Sequence, residues 1–320
     1  MNTRVRFGLF AAENITAADG SVIPADGLIS EISLAENMSA KFDTALPFGK
    51  YYVQEIATDE HYVLNGKKYL VNFEYMGQEV TTVTVDCGEF KNALKRGKIS
   101  GKKVDENEKS LENALFGLFA VDTAEFTADN AYMTAVSDEN GHFEFDKIPY
   151  GEYIVREIEA PTGYILSDES YPVTISEDGE VIEIKAVNKS TKVRISKQDI
   201  TTGEELPGAT LQIIDEDGNV ATEWVSTDEA HFIEGKLIAG KEYTLRETIA
   251  PDGYEIASEI KFTVNTDGSV TEVVMYDEHT PELEIPPTVT IDTPNTGVSA
   301  DNSAEFYLVA AAVVVAFGMV

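Results

Sequence analysis

"YTLRETIAPDGY", residues 243–254, is the stretch on which the fold turns. Side chains of an extended strand alternate between faces, so Tyr243, Leu245 and Glu247 point one way while Thr244 and Arg246 point the other. A carboxylate aimed with the apolar residues needs a partner or a purpose, because burying it alone is expensive.

The phrase occurs three times. "YYVQEIATDEHY" at 51 and "YIVREIEAPTGY" at 153 repeat the tyrosine, the alternation and the glutamate, which places Glu55, Glu157 and Glu247 at intervals of 102 and 90 residues. Such a period is domain-sized and fits tandem β-sandwich modules rather than a solenoid. Other phrases keep the same register: "RFGLFAAE" at 6, "LFGLFAVD" at 115 and "LPGATLQIID" at 206. The N-terminal arginines and short apolar run therefore read as the second strand of a first module, not as a signal peptide, which would need a longer apolar run and a cleavage site. The expectation is a chain shortened at its N-terminus, with the first strand of that module missing.

Short runs of Val, Ile, Thr, Tyr and Phe predict an all-β chain. The turn sequences "ENGH" at 139, "EDGE" at 177, "EDGN" at 216 and "TDGS" at 266 predict tight hairpins between the strands. These acidic turns lack the ligand spacing of a calcium-binding loop, so no metal is expected. The predicted layout is an incomplete module over 1–95, complete modules over 96–190 and 191–280, a Pro-rich linker over 281–305 and an apolar segment over 306–320.

Composition narrows the function. With 57 acidic against 24 basic residues the net charge is −33, which repels nucleic acid and anionic lipid. An apolar fraction of 43% suffices for a core in each module. The lone Cys87 allows neither an intrachain disulfide nor a cysteine-rich metal cluster. Four scattered histidines, with no nucleophile partner and no phosphate loop, offer no site for a turnover enzyme or a cofactor.

Alternation places further polar groups inward. In "KVRISKQD", Lys197 shares a face with Val193 and Ile195; in "TEVVMYDE", Asp277 shares one with Val273 and Met275; in "VIEIKAVNK", Asn188 shares one with Ile182, Ile184 and Ala186. Each complete module thus directs a lysine, a glutamate and an Asn or Asp into its core. Apolar burial lowers a lysine pKa and raises that of a carboxylic acid, which yields a neutral amine beside a protonated acid. Those are the states in which an amine attacks a carboxamide or carboxyl carbon, with proximity supplying most of the acceleration and the glutamate moving protons. The alternative for each trio is a buried salt bridge that never reacts.

These phrases resemble the Cna protein B-type, or SpaA pilin-type prealbumin-like, domains of Gram-positive surface proteins. The matching segments are "KKVDENEKSLENALFGLF", "EIEAPTGY" and "KAVNK" in the second module, with "SKQDITTGEELPGA", "ETIAPDGY" and "VMYDE" in the third. The resemblance implies a Lys103–Asn188 isopeptide bond formed with loss of ammonia and a Lys197–Asp277 bond formed with loss of water, with Glu157 and Glu247 as proton shuttles. Lys102 adjoins Lys103, but the K-x-D register shared with Lys197 and Asp199 selects Lys103. The first module retains Glu55 and a candidate Asn92, yet its donor strand is absent and "ATDEHY" replaces the A-P-x-G-Y segment, so no cross-link is expected there.

The tail fits the same resemblance. "TPNTG", Thr293, Pro294, Asn295, Thr296 and Gly297, is similar to an L-P-x-T-G sorting signal and precedes the apolar run "FYLVAAAVVVAFGMV". That similarity implies cleavage by a sortase between Thr296 and Gly297 and attachment to peptidoglycan, Thr293 standing where the family has leucine. The apolar run is shorter than a bilayer span of about 20 residues and reads as a shortened membrane segment used before sorting. The expectation is a structural, non-enzymatic surface protein, a stalk, adhesin or minor pilin-type subunit, in the cell wall of a Gram-positive bacterium. A sortase-polymerised pilus subunit and a ligand-binding surface module without isopeptide bonds remain open, and no host ligand is identified.

Overall fold

The computed structural model describes residues 4–281, and the sorting-like motif and the apolar C-terminal run lie outside them. In the first module the strands are β1 (Arg6–Ala11), β2 (Ile15–Thr16), β3 (Val22–Ile23), β4 (Leu28–Ser33), β5 (Gly49–Ala57) and β6 (Tyr69–Phe73). The second holds β7 (Arg96–Asp105), β8 (Leu115–Ala120), β9 (Met133–Val136), β10 (His142–Pro149), β11 (Gly151–Glu159), β12 (Ser170–Ile175) and β13 (Val181–Asn188). The third holds β14 (Lys192–Asp199), β15 (Thr210–Ile214), β16 (Val220–Val225), β17 (His231–Glu234), β18 (Glu242–Ile249), β19 (Ile260–Thr263) and β20 (Val270–Asp277). The all-β reading holds: among the described residues the one helical element is the single 3-10 turn Ala128–Asn130.

Modules two and three each stack a three-stranded sheet against a four-stranded one, in the orders β10-β7-β13 with β12-β11-β8-β9, and β17-β14-β20 with β16-β15-β18-β19. Alternation fills the space between them. Ile99, Phe116, Leu118, Phe145 and Val155 form one core, and Val193, Ile195, Leu211, Leu245 and Met275 the next. First and last strands of each module run parallel, with Ala186 opposite Lys103 and Met275 opposite Lys197. Asn188 and Asp277 lie two residues further along the same faces, within diagonal reach of a long side chain. The first strand is central in each three-stranded sheet, parallel to the last strand and antiparallel to its other neighbour.

Gly101 allows this packing on the β7 side, since a Cβ there would come within 2.1 Å of the Phe143 ring. Phe143 stacks on Phe116 at 3.8 Å, and Lys103 Nζ lies 5.5 Å from the Phe116 centroid.

Glycines of all four turn sequences take left-handed φ angles between 73° and 85°. Only the turn at 216–219, however, joins two paired strands, β15 and β16. Those at 139–142, 177–180 and 266–269 carry the chain from one sheet of a module to the other. The hairpin expectation fails for these three because a positive φ reverses the chain without choosing which strand the next segment pairs with.

The first module differs. Its sheet, β4-β1-β5-β6, has the order of the four-stranded sheets, with β1 in the place of β8 and β15. The segments before β5 and after β6, residues 39–48 and 74–93, hold no strand. In the other modules the strands at these places bond to the central first strand. Among the described residues no strand lies between these flanks to serve as their ladder partner.

Successive modules meet through a repeated backbone clamp. Lys95 N–H donates to His61 O at 2.9 Å and Tyr150 N–H to Lys95 O at 3.1 Å; at the next joint Thr191 N–H donates to Gly163 O at 2.8 Å and Gly235 N–H to Thr191 O at 3.0 Å. The second joint is reinforced by the Thr191 hydroxyl, which donates to Leu237 O at 2.7 Å, and by Ser190 Oγ, within 2.8 Å of both Glu106 Oε1 and Glu234 Oε1.

Candidate functional site

Each inward glutamate sits at a register shift. Glu157 pairs with Phe116 and Glu159 with Leu115, leaving Ile158 unpaired; Glu247 pairs with Leu211 and Ile249 with Thr210, leaving Thr248 unpaired. Glu55 and Phe7 repeat the arrangement. Such a bulge bends the strand locally and re-aims its side chains. All three glutamates are buried.

In the second module Lys103, Glu157 and Asn188 converge as the sequence predicts. Lys103 Nζ donates to Asn188 Oδ1 and stands 3.0 Å from Glu157 Oε1, while Asn188 Nδ2 donates to that same Oε1 at 2.9 Å. Burial holds the Lys103 amine below its ordinary pKa, against the opposing pull of Glu157. Lys102 faces outward, donating to Ser110 Oγ and Asn140 O, so the register argument selected the inward lysine.

Lys197, Glu247 and Asp277 form the equivalent group in the third module. Lys197 Nζ donates to Asp277 Oδ1 and lies 3.1 Å from Glu247 Oε1. Two carboxyls here face one amine, and Glu247 Oε1 and Asp277 Oδ2 are buried without hydrogen-bond partners. Burial pushes the Glu247 carboxyl above its usual range. A proton on Glu247 removes the second buried negative charge and adds a donor beside the Lys197 amine.

Two supporting interactions were not foreseen. The other oxygen of each glutamate accepts a backbone N–H ten residues downstream: Asn65 to Glu55 at 2.6 Å, Ser167 to Glu157 at 3.0 Å and Ala257 to Glu247 at 2.7 Å. That bond fixes one oxygen and leaves Oε1 for the amine. The K-x-D aspartates are tied to the tyrosines of the A-P-x-G-Y segments, Tyr254 OH donating to Asp199 Oδ2 at 2.7 Å and Tyr164 OH to Asp105 Oδ2 at 3.4 Å. Co-occurrence of the aspartate and the tyrosine in both modules was the only signal available in the sequence.

The tyrosine hydrogen bond, followed by the Thr202 and Thr201 amides, holds the Asp199 carboxyl down at about 2, from 3.8. A depressed acid stabilises the fold above its unfolded pKa, and that stability is lost as pH falls through the folded value. Module three should therefore lose stability on acidification between 3.8 and about 2. Tyr254→Phe should raise the Asp199 pKa, measured by NMR titration, and weaken this pH dependence; an unmoved pKa would show that the phenol is not the main support.

The SpaA prealbumin-like fold domain family model matches residues 97–190 and 191–279. The chain belongs to this family. A curated relative, the trypsin-resistant surface T6 protein of Streptococcus pyogenes serotype M6, is 28% identical over 111 residues, which is 34% of this chain and 20% of that protein. Among solved structures, the Bacillus anthracis TIE protein aligns over 86% of this chain and 48% of its own at 24% identity and a TM-score of 0.48. The shaft pilin SpaA of Lactobacillus rhamnosus GG aligns over 59% of this chain and 99% of its own at 15% identity and a TM-score of 0.33. The chain thus spans a fifth of the T6 protein and under half of the TIE protein. Both matched SpaA-type modules contain one complete Lys–Glu–Asn/Asp trio.

Proposed function

We propose that this chain is a structural surface protein of a Gram-positive bacterium, a stalk, adhesin or minor pilin-type subunit, whose second and third modules close by Lys103–Asn188 and Lys197–Asp277 isopeptide bonds. The observation that carries the reading is the occurrence of two buried trios in which the amine touches the carbonyl oxygen of the group it would attack and a glutamate touches the amine. In module two, Lys103 Nζ bonds to Asn188 Cγ, the Cγ–Nδ2 bond breaks, and Glu157 passes the amine proton to the departing ammonia. In module three, Lys197 Nζ bonds to Asp277 Cγ, one Cγ–O bond breaks, and the leaving oxygen departs as water with one proton from Glu247 and one from the amine. Each reaction occurs once, and the glutamates do not turn over.

A bond between the first and last strands bypasses the intervening fold when the ends of a module are pulled, which suits a stalk. We further propose module boundaries near residues 95/96 and 190/191, attachment to peptidoglycan by a sortase acting at Thr296–Gly297, and use of the 306–320 segment as a membrane stop before sorting. The surface designation of the T6 relative supports this placement.

Intact-mass measurement tests the chemistry. The purified chain should weigh one ammonia plus one water less than its sequence mass. Glu157→Ala should restore the ammonia and Glu247→Ala the water, each leaving the other loss in place. A full sequence mass in the unmutated chain would reduce both trios to unreactive ion pairs.

A further inference from the structure

The amine of each trio ends a flexible four-carbon stem, so its aim depends on how the backbone holds the lysine. Both lysines sit where the ladder to the antiparallel neighbour runs out. β10 pairs with β7 as far as His142 with Lys102, one residue short of Lys103, and β17 pairs with β14 as far as His231 with Ile195, two residues short of Lys197. Lys103 is 0% and Lys197 2% exposed, so an unpaired amide on either would be a buried orphan.

Beyond the ladder the two modules hold the lysine C=O in the same way. Leu111 N–H donates to Lys103 O at 3.1 Å and Leu206 N–H to Lys197 O at 2.6 Å. They hold the lysine N–H differently. Lys103 N–H donates to Gly141 O at 2.6 Å, in the turn that leads into β10. Lys197 N–H donates instead to a side chain, Glu205 Oε2 at 3.1 Å, and Glu205 Oε1 accepts from Gln198 Nε2 at 3.4 Å. Glu205 is half-buried and bridges to Gln198 just before Leu206, so one short segment grips both backbone groups of Lys197. In module two the same two grips meet at Gly141. Its φ is 73°, and a Cβ there would fall 2.2 Å from Lys103 O and 3.3 Å from Leu111 N.

We propose that Gly141 and Glu205 are positioning residues for the cross-linking reactions, gripping the backbone of Lys103 and Lys197 so that each amine meets Asn188 or Asp277 in attack geometry. The inference rests on the isopeptide reading of the two trios. Both residues act through the lysine backbone, so the bonds that form and break and the proton path through Glu157 or Glu247 are unaltered. Proximity supplies most of the acceleration in such a reaction, and a misplacement of about 1 Å costs about 100-fold in rate. What Glu205 contributes is an oxygen acceptor for an amide rather than a charge.

The test follows the rate of each loss in the full 320-residue chain. The chain is made by cell-free translation, synthesis is stopped after a few minutes, and samples are analysed by mass spectrometry with peptide mapping to assign the ammonia loss to Lys103 and the water loss to Lys197. Glu205→Ala should slow the water loss about 100-fold and leave the ammonia loss at the parental rate. Glu205→Gln keeps an oxygen for the Lys197 amide and should restore most of the rate; a glutamine variant as slow as the alanine one overturns the grip. Gly141→Ala should have the mirror effect, slowing the ammonia loss and sparing the water loss. Because alanine at 141 also meets the left-handed penalty, the Glu205 pair decides. Hydrogen exchange at the Leu211 and Leu245 amides should stay at the parental level in both Glu205 variants, which separates a misplaced lysine from a lost fold. If the parent loses ammonia and water and Glu205→Ala loses water just as fast, the positioning role is refuted while the isopeptide reading stands. A parent chain that loses neither overturns both.

Discussion

Glu247→Gln should leave module three unlinked and lower its melting temperature by roughly 15–35 °C. Gln keeps the volume of the side chain and an oxygen for the Ala257 amide, but it cannot deliver a proton to Asp277. The intended bond spans a sequence separation of 80 residues. Closing a loop of that size stabilises the fold by about 4.5 kcal/mol on the chain-entropy account. For a domain of this length each kcal/mol moves the melting temperature by about 4–8 °C. Lys197→Ala should do more, because it removes the cross-link and also leaves Glu247 and Asp277 buried with no cation. Breaking a buried pair from one side costs about 3–5 kcal/mol. Added to the lost cross-link, that is comparable with the whole stability of an ordinary domain, about 5–15 kcal/mol. Lys197→Ala should therefore leave module three unfolded at ambient temperature while module two, with its own trio intact, melts as before. Calorimetry of the two variants against the parent separates the transitions. If Glu247→Gln melts with the parent, Lys197 and Asp277 are held by an ion pair alone.

These effects concentrate on three residues because the groups that alternation exposed in the sequence are the ones the fold depends on. Lys197, Glu247 and Asp277 were legible since a charged residue on an apolar face violates the simplest rule of strand patterning, and a violation repeated at domain spacing is a signal. Tandem β-sandwich architecture was legible for the same reason: the phrase around Glu247 recurs with its register intact. What sequence did not disclose depends on where distant strands land. The bulges at Glu157 and Glu247 are properties of pairing with β8 and β15, and the Ser167 and Ala257 amides reach the glutamates only through loop geometry. Turn chemistry at Gly141, Gly179 and Gly268 fixed the backbone angle but not the destination sheet. That residues 39–48 and 74–93 hold no strand, while β10 and β13 form beside β7, is a matter of long-range pairing that no local window contains.

The joint between modules two and three makes a prediction that separates two glycines with the same local conformation. Gly163 and Gly253 occupy equivalent places in the A-P-x-G-Y segments, with φ of 85° and 86°. Alanine at either position incurs the left-handed penalty of about 1–2 kcal/mol. At Gly253 a Cβ meets nothing within 4 Å, whereas at Gly163 it would fall 2.2 Å from Gly235 O and 2.3 Å from Gly235 C. Gly163→Ala must push the clamp apart, and with it the bonds from Thr191 N–H to Gly163 O and from Gly235 N–H to Thr191 O. Hydrogen exchange at the Thr191 and Gly235 amides should accelerate about 10- to 100-fold in Gly163→Ala, corresponding to about 1.4–2.8 kcal/mol of lost local protection. Gly253→Ala should leave both amides unchanged. Equal exchange in the two variants would mean that the modules touch without being fastened. On the proposed isopeptide reading the distinction matters, because the residues between Asn188 and Lys197 would then be the only backbone in modules two and three lying between the two covalent loops. Under tension that short segment is where the paired modules can yield, and the Gly163–Thr191–Gly235 clamp is what resists it.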